Sequence, residues 1–413
     1  MRTIIQKFKN ELPPLLYLIT LMVPLYGSPD RAITQWVYIS LVNLFLLFFI
    51  KTTKSELRQI LHHPIFLIYS IYILSLFLSI FSAYNKSEAL VEILRTINIY
   101  FGFFLLCNHF IKQKNITIFI IGLLILYLLQ NLKVFIVVFS LFDFTSISLD
   151  IANRLTGFTM NKNISAYFIL FNLPLLTFLF LKSNQIIFRI LIAISLTFGL
   201  INLLIYGTRS AMICLIIISF LLILYHIFLS KVNFINIFSF TIIVLSSYFY
   251  VQINNSDKLI IKRMETLNLE DSSVNKRISY YKGAFNTMLE NPFLGIGVGN
   301  WKIYSVNEVK DSIKNYIAPY HVHNDFLQKV ADGGFFGFLS YIILIFTPIF
   351  LLLKKFLENK NEKYFILIAS FIIYIIDSSF NFPYSRPIIQ VYLMIMLSLT
   401  LIFTLKKELN EDT

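Results

Sequence analysis

Long apolar runs, each about as long as a bilayer is thick, recur along almost the whole chain. A membrane core takes about 20 apolar residues per helix, and backbone polar groups in lipid must be satisfied within the spanning segment. The runs therefore predict an all-α integral membrane protein of about 12 transmembrane helices. The predicted spans are Leu12–Tyr26, Ala32–Ile50, Pro64–Tyr84, Ala89–Ile111, Ile116–Phe142, Ile164–Leu181, Ile186–Tyr206, Ala211–Leu229, Val232–Val251, Phe335–Leu353, Tyr364–Phe380 and Pro387–Leu405.

Composition supports this class and excludes a soluble enzyme. Only 14% of the 413 residues are charged, whereas soluble domains carry roughly a quarter. The net charge of +13 does not indicate nucleic-acid binding, because the charges lie in short connectors rather than on one polar face. Cys107 and Cys214 both lie inside apolar runs, so the sequence predicts neither a disulfide nor a metal cluster from them.

Basic residues alternate between the two sets of connectors. One set holds roughly 16, namely Arg2, Lys7, Lys9, Lys51, Lys54, Arg58, Lys112, Lys114, Lys182, Lys231, Lys354, Lys355, Lys360, Lys363, Lys406 and Lys407. The short connectors of the opposite set hold roughly 6, namely Arg31, Lys86, Arg154, Lys162, Arg209 and Arg386. Because cytoplasmic loops are enriched in Lys and Arg, both termini are predicted to be cytoplasmic.

One extracytoplasmic loop is far longer than a connector needs to be. It divides the chain into helices one to nine (1–251), a loop (252–334) and helices ten to twelve with a cytoplasmic tail (335–413). Loops of this length usually carry function. Apolar residues at helical spacing predict helices at Val274–Glu290 and from about Asn324 to Asp332 within it, so the loop is partly helical.

Four sequence segments carry most of the candidate chemistry. They read RLTGFTMNKNISAY from Arg154, GTRSA from Gly207, RISYYKGAF followed by NPFLGIGVGNW from Arg277, and HVHNDFLQKVADGGFFG from His321. Their order resembles the O-antigen ligase and polymerase family of bacterial envelope glycosyltransferases. The resemblance covers roughly Arg154 to the C-terminus, whereas the first five spans fit by hydropathy alone.

The resemblance implies a multi-pass enzyme of the bacterial inner membrane whose active loop is periplasmic. It would transfer a glycan from undecaprenyl diphosphate to a sugar hydroxyl of the lipid A core, in lipopolysaccharide biosynthesis. The implied reaction inverts the anomeric centre and uses no cofactor, nucleotide sugar or metal. A polymerase, whose acceptor is another lipid-linked repeat, is the alternative within the family; the single large loop favours the ligase.

Arg209 and Arg277 are the candidates for binding the donor diphosphate. Arginine binds phosphate oxygens in a bidentate fork and stabilises the charge that develops as the glycosidic bond breaks. Arg209 follows a span and Arg277 begins a loop helix, so both can reach the headgroup region. The structural alternatives are a snorkelling interfacial anchor for Arg209 and a solvated helix charge for Arg277.

His323 is the candidate for assisting the acceptor hydroxyl. A helix N-terminus and nearby arginines disfavour the imidazolium, so we predict a neutral ring that can accept a proton near pH 7. A helix cap or a structural hydrogen bond is the alternative. A metal site from His321, His323 and Asp325 lacks the further ligands that such a site needs.

The remaining candidates are predicted to contact substrate: Arg154, Asn163, Asn324, Arg386 and Tyr281. Arg154 and Asn163 could equally form a polar loop cluster. The glycines of GIGVGN predict a tight turn that allows close backbone approach to a ligand or a helix, since no βαβ unit surrounds them.

Two other cations, Arg95 and Lys133, lie inside predicted spans, toward their outer ends, and Asp377 is a candidate partner for a cation. A transporter or flippase for an anionic glycolipid is the rival from another class. It would bind substrate with the same arginines without breaking a bond. That rival predicts paired charges at mid-membrane, where the spans carry almost none.

Overall fold

The chain is helical throughout the part that the structure covers. The computed structural model describes residues 13–23, 32–48, 50, 52–112, 116–141, 155–228, 234–254, 272–309 and 319–405. Within these ranges all regular structure is helix, and no strand is present. The helices are α1 Pro13–Met22, α2 Ile33–Leu47, α3 Lys54–Leu61, α4 Pro64–Ser82, α5 Lys86–Phe110, α6 Thr117–Leu141, α7 Lys162–Lys182, α8 Ile186–Tyr206, α9 Arg209–Phe228, α10 Phe234–Asn254, α11 Ser272–Glu290, α12 Trp301–Val309, α13 Asp325–Asn359, α14 Glu362–Phe380 and α15 Pro387–Leu405.

Nine helices in the described ranges are long and apolar enough to cross a membrane: α4, α5, α6, α7, α8, α9, α13, α14 and α15. They coincide with nine of the predicted spans, which are confirmed at this level, and the chain is an all-helical membrane protein. The other three predicted spans correspond to the shorter apolar helices α1, α2 and part of α10. The total of twelve spans therefore remains a prediction.

Two helices form the centre of the bundle. Nearly every side chain of α7 and α15 is buried, whereas α6 and α9 expose much of their apolar surface on the outside of the bundle. The Asn172 side-chain amide on α7 donates to the Tyr392 hydroxyl on α15 at 2.9 Å. Helix α13 packs against α4 and α14, and α15 packs against α5. The candidate residues thus lie at the end of a bundle whose interior is fixed by packing.

Connectors that the sequence assigns to one side of the membrane meet at one end of the bundle, which we name the site end. There the Asn85 backbone N–H donates to the Asn300 side-chain oxygen at 2.7 Å. The Asn381 amide also lies 3.5 Å from the Ser210 hydroxyl. These contacts join the α4–α5 turn to the glycine-rich turn, and the α14–α15 turn to the start of α9.

The opposite end gathers connectors of the basic set. Lys182 and Glu362 form an ion pair at 2.6 Å, and the His63 ring lies 3.0 Å from the Thr404 hydroxyl. The exposed ion pair contributes little stability, about 0–1 kcal/mol. The two contacts nevertheless join the basic-set termini of α7 and α14, and those of α4 and α15.

The described part of the long loop folds onto the site end. Helix α11 confirms the predicted loop helix and packs against α13, whereas the short helix α12 was not predicted. The second predicted loop helix stops at its glycines, as the sequence predicts. Gly334 has the non-helical values φ 56° and ψ −150°, and a second helical segment follows directly, so α13 consists of two helices joined across this kink. Only glycine adopts that conformation readily, so the chain can change direction at this residue.

Candidate functional site

The turn between α14 and α15, residues 381–386, lies at the centre of the candidate site. It contains one turn of 3-10 helix at Pro383–Ser385, and its residues Asn381, Phe382 and Arg386 are all buried. Proline at 383 and again at 387 limits the backbone here and favours a compact turn. The candidates from α9, α11 and α13 lie around this turn.

His323 lies directly before α13, in a strained backbone conformation. Its φ is +62°, a left-handed value that residues with a side chain seldom adopt. The ring stacks near Tyr280 with centroids 6.3 Å apart, and it meets the edge of Phe382 at 4.9 Å. Neither ring nitrogen makes a hydrogen bond with the described residues. Aromatic contacts therefore orient the ring, and its Nδ1 is buried without a hydrogen-bond partner among the described residues.

Burial and positive charge keep the His323 ring neutral. Burial is the largest cause, and together with the charges of Arg277 and Arg386 it lowers the pKa of His323 to about 4. The sequence predicts the same direction from the helix N-terminus and the arginines; burial is not visible in the sequence. At neutral pH the imidazole is a proton acceptor.

Arg277 and Tyr281 lie one turn apart on α11, on the face toward His323. The Tyr281 hydroxyl donates to the His323 backbone oxygen at 3.4 Å. Arg277 is close enough to act electrostatically on both His323 and Tyr281. The structure thus brings these two sequence-predicted residues to the histidine. Tyr281 holds the backbone, and Arg277 supplies the charge.

Arg386 enters the site from the opposite side, at the end of the turn. It is 2% exposed, and its guanidinium carbon lies 4.1 Å from the centroid of the Phe382 ring. It also acts electrostatically on His323 and Asp377. Phe382 therefore separates a buried arginine from the histidine ring, and two arginines approach His323 from different elements.

Arg209 begins α9, two residues after a left-handed Gly207 that ends α8. The next residue, Ser210, lies 3.5 Å from the Asn381 amide, which in turn donates to the Asp377 carboxylate at 2.8 Å. Arg209 is half-buried and lies at the site end beside the turn. The chain of polar contacts fixes the start of α9 relative to the turn that carries Arg386.

Asn324 and Asp325 connect α13 to its neighbours. The Asn324 side chain caps α13 by accepting from the Leu327 N–H at 3.0 Å, and it donates to the Ser379 backbone oxygen at 3.0 Å. Asp325, 1% exposed, accepts from the Tyr384 backbone N–H at 2.9 Å. Both ends of the Asn324 amide therefore make contacts within the protein, next to His323, and its contact with substrate stays a prediction.

Asn163 lies at the start of α7, in its first turn. Arg154 lies outside the described residues. The N–H of Asn163 donates to the side chain of Asn161, which caps α7. The adjoining loop is held to α6 by Gln130, which accepts from the Phe158 N–H at 2.8 Å. The observed contacts of this segment are those of an ordered polar loop beside the site end.

The glycine-rich turn is a packing element. The Ile296 N–H donates to the Ala331 oxygen at 2.9 Å, and the Phe335 N–H donates to the Pro292 oxygen at 2.8 Å. The turn thus lies against the kink of α13, as the prediction of close backbone approach to a helix required. On its other side, the Val298 N–H lies 3.2 Å from the Ser79 hydroxyl on α4.

Several residues that shape the site gave no signal in the sequence. Asp325 resembles an ordinary first-turn acid, and Lys329 resembles a solvated helix lysine, yet both are buried. For Asp377, the sequence predicts only that it is a candidate partner for a cation. Arg95 instead pairs with Glu92 at 2.5 Å. The ends of four helices create these environments, and no single segment encodes them.

The described residues include no group of three or more His, Cys, Asp or Glu side chains placed to hold a metal ion. The sequence raised His321, His323 and Asp325 as a conceivable set. In the structure the Phe382 ring lies against both imidazoles, stacked on His321 at 4.2 Å and edge-on to His323 at 4.9 Å. The Asp325 carboxylate is directed to the Tyr384 N–H instead.

Comparison with known proteins gives a family for this part of the chain. Residues 190–342 match the family model described as "O-Antigen ligase". The match supports the O-antigen ligase family. The matched segment includes Arg209, Arg277 and His323, whereas Arg386 and the turn around it lie beyond it.

A curated relative extends the comparison without adding an activity. A protein of Haemophilus influenzae (strain ATCC 51907 / DSM 11121 / KW20 / Rd), named "Uncharacterized protein", is 26% identical over 186 residues. The alignment covers 43% of this chain and 46% of that protein, so the matched segment spans about half of each.

Proposed function

We propose that the chain is an O-antigen ligase-like glycosyltransferase that moves a glycan from undecaprenyl diphosphate to a sugar hydroxyl. One observation carries the proposal. His323 lies in a strained conformation between Tyr280 and Phe382, neutral, and within electrostatic range of Arg277 and Arg386. Perturbed pKa values and strained backbone cluster at functional sites.

The reaction follows from the charges around the histidine. The acceptor oxygen attacks the anomeric carbon of the donor glycan and forms the new C–O bond. The bond between that carbon and the diphosphate oxygen breaks, and the undecaprenyl diphosphate leaves with the electron pair. His323 takes the proton of the acceptor hydroxyl, which general-base catalysis makes about 10²–10⁴-fold faster.

Arg209 and Arg277 bind the diphosphate and stabilise its growing charge. Positive groups placed in advance at a leaving anion are worth roughly 3–4 kcal/mol each. Arg386 adds positive charge from the turn, and Asn163 and Tyr281 line the approach. Attack on the face opposite the diphosphate inverts the anomeric centre. We propose no cofactor and no metal, and we place Arg154 with the donor-binding residues.

We propose that the site end lies at the periplasmic face of the bacterial inner membrane and that both termini lie in the cytoplasm. The basic-set connectors then lie on the cytoplasmic side, as the positive-inside rule requires. A lipid-linked donor would approach laterally, with its diphosphate at the headgroup level beside the start of α9. Cysteine accessibility at Tyr320 and at Lys360, one at each end of the bundle, tests this orientation.

Deletion of the gene in its native host tests the function. We expect core-only lipopolysaccharide on a gel, with long polymer accumulating on undecaprenyl diphosphate in the lipid extract. Lipopolysaccharide capped by a single repeat, with only short lipid-linked units, would identify the polymerase instead. An unchanged gel would contradict a lipopolysaccharide acceptor.

Purified protein distinguishes the enzyme from the transporter. Reconstituted in liposomes with lipid-linked glycan from the deletion strain, the enzyme should release undecaprenyl diphosphate only when acceptor is present. Movement of glycolipid across the bilayer with no diphosphate released from any donor would establish the transporter and end the glycosyltransferase proposal.

A further inference from the structure

A cavity lined by charged side chains lies next to the proposed catalytic histidine. Its volume is about 270 Å³. His321 lines it, and the His321 ring stacks on Phe382 at 4.2 Å, whose edge meets His323. One aromatic ring thus separates this cavity, which we name the side cavity, from the catalytic position.

The side cavity is lined by as many acidic as basic side chains: Glu88, Glu92, Asp332, Arg95, Lys302 and Lys329. Two of the basic groups are paired. Arg95 contacts Glu92 at 2.5 Å, and Lys302 contacts Glu88 at 2.5 Å. The formal charges of the lining therefore cancel, so the side cavity offers no net attraction to a diphosphate. The lining is polar, but its net charge favours neither an anion nor a cation.

Lys329 is the exception to this pairing. It is 2% exposed, and its Nζ lies 3.3 Å from the centroid of the Tyr384 ring. Among the residues that the structure describes, no carboxylate lies within 4 Å of that nitrogen; Asp332 and Asp325 attract it from farther away. An ammonium carries three donors, and a cation–π contact replaces only part of what burial removes. Its donors are therefore open to a ligand in the side cavity.

Acceptors and an aromatic face complete the lining. The Asp332 carboxylate oxygens accept from the Gln328 amide at 3.1 Å and keep further lone pairs. Tyr320, 37% exposed, lies at the edge of the side cavity. A sugar presents several hydroxyls, each a donor and an acceptor, around an apolar ring face. Among uncharged ligands, that chemistry matches this lining.

We propose that the side cavity binds one sugar unit of the acceptor glycan, with Lys329 donating to its hydroxyls and Tyr320 covering its face. The proposal rests on the proposed function and deepens it. Lys329 acts on the acceptor's position, and the acceptor hydroxyl that reacts belongs to the neighbouring sugar at His323. The ligand class is an uncharged, hydroxyl-rich sugar.

Steady-state kinetics test the assignment with the full chain in detergent. Donor is the lipid-linked glycan, and acceptor is the incomplete lipopolysaccharide, both from the deletion strain. We expect Lys329→Met to raise the acceptor KM about tenfold or more, with the donor KM unchanged. Tyr320→Ala, at a position that is 37% exposed, should raise the same KM. Lys282→Met, the same substitution at an exposed lysine on α11, should leave both constants unchanged.

An unchanged acceptor KM in both cavity variants, or an equal rise in the donor KM, would overturn the proposal. A binding measurement separates this failure from that of the proposed function. The core oligosaccharide released from the same lipopolysaccharide is titrated calorimetrically into the protein without donor. Binding that Lys329→Met weakens supports the side cavity as a sugar site even when no transfer occurs. Equal binding by wild type and variant, or none by wild type, contradicts it.

Discussion

A methyl group on Gly334 would lie 2.6 Å from the backbone nitrogen of Gly295. The two glycines both have positive φ, and they bring the kink of α13 into direct backbone contact with the glycine-rich turn. This contact sets the direction of the first two turns of α13, which carry Asp325 and Lys329. The position of His323, immediately before α13, depends on the same contact.

Substitution of Gly334 should therefore loosen the site from a distance. Gly334→Ala places a side chain in a conformation that costs about 1–3 kcal/mol, and the clash adds to that cost. Gly333→Ala is the matched control, because a methyl group there would meet no atom within 4 Å. We expect Gly334→Ala to lower the midpoint of thermal unfolding and the transfer rate, and Gly333→Ala to change neither. Equal behaviour of the two variants would contradict this account.

The sequence predicts the helices and turns of this protein better than it predicts the contacts between them. Apolar length gives nine spans, and Gly295 and Gly334 give a turn and a break, because membranes and backbone sterics act locally. The burial of Lys329 and the contact of Asp325 with Tyr384 depend on how helix ends meet. These contacts join residues about 60 positions apart, and hydropathy or helical spacing does not encode them.

The candidate residues divide in the same way. Their chemical type and the motif pattern identify Arg209, Arg277 and His323. The turn of residues 381–386, which brings Arg386 to them, reads in the sequence as a short connector between two spans. Only the fold shows that it is buried among α9, α13 and α14.

Loss of the imidazole should slow transfer without unfolding the protein. His323→Ala removes the proposed base, so we expect the transfer rate to fall about 10²–10⁴-fold. His62→Ala, at an exposed position at the opposite end, is the control. Rates are measured per mole of folded protein after size-exclusion chromatography. A decrease explained by the amount of folded protein alone would leave His323 a structural residue.

The pH profile of transfer should lack the fall in activity near pH 6.5 that protonation of an ordinary histidine base produces. Because burial, Arg277 and Arg386 lower the pKa of His323 from 6.5 to about 4, the ring stays neutral as pH falls from 8 to about 5. We expect kcat/KM to be flat over that range and to fall only as pH approaches 4. Arg277→Gln removes one positive charge, so its residual activity should show the acid limb at higher pH. A wild-type limb near 6.5 would show that the free enzyme's base is not this buried ring.

The two arginines that we propose to bind the diphosphate, Arg209 and Arg277, should both be required for activity. We expect Arg209→Ala and Arg277→Ala each to lose about 10²–10³ in kcat, as removal of one preorganised donor does. Lysine at either position should restore only part of the lost kcat, because it keeps the positive charge but cannot form the bidentate fork. Arg189→Ala, near the other terminus of α8, is the matched control. Near-normal turnover in either variant would remove that residue from the mechanism.

Asp325 should act through the turn and not on the substrate. Its Oδ2 accepts from the Tyr384 N–H at 2.9 Å and from the Ser378 hydroxyl at 3.4 Å, so it holds the start of α13 to both ends of the α14–α15 connection. Asp325→Ala leaves a buried N–H without its acceptor, at about 1–3 kcal/mol. Asp325→Asn keeps an oxygen at the same place. We expect Asp325→Ala to lower kcat with little change in the donor KM, and Asp325→Asn to keep most of the wild-type rate. Equal losses in both variants would instead show that the negative charge of Asp325 is required. Full activity of Asp325→Ala would show that the turn holds Arg386 and Phe382 in place without the Asp325 carboxylate.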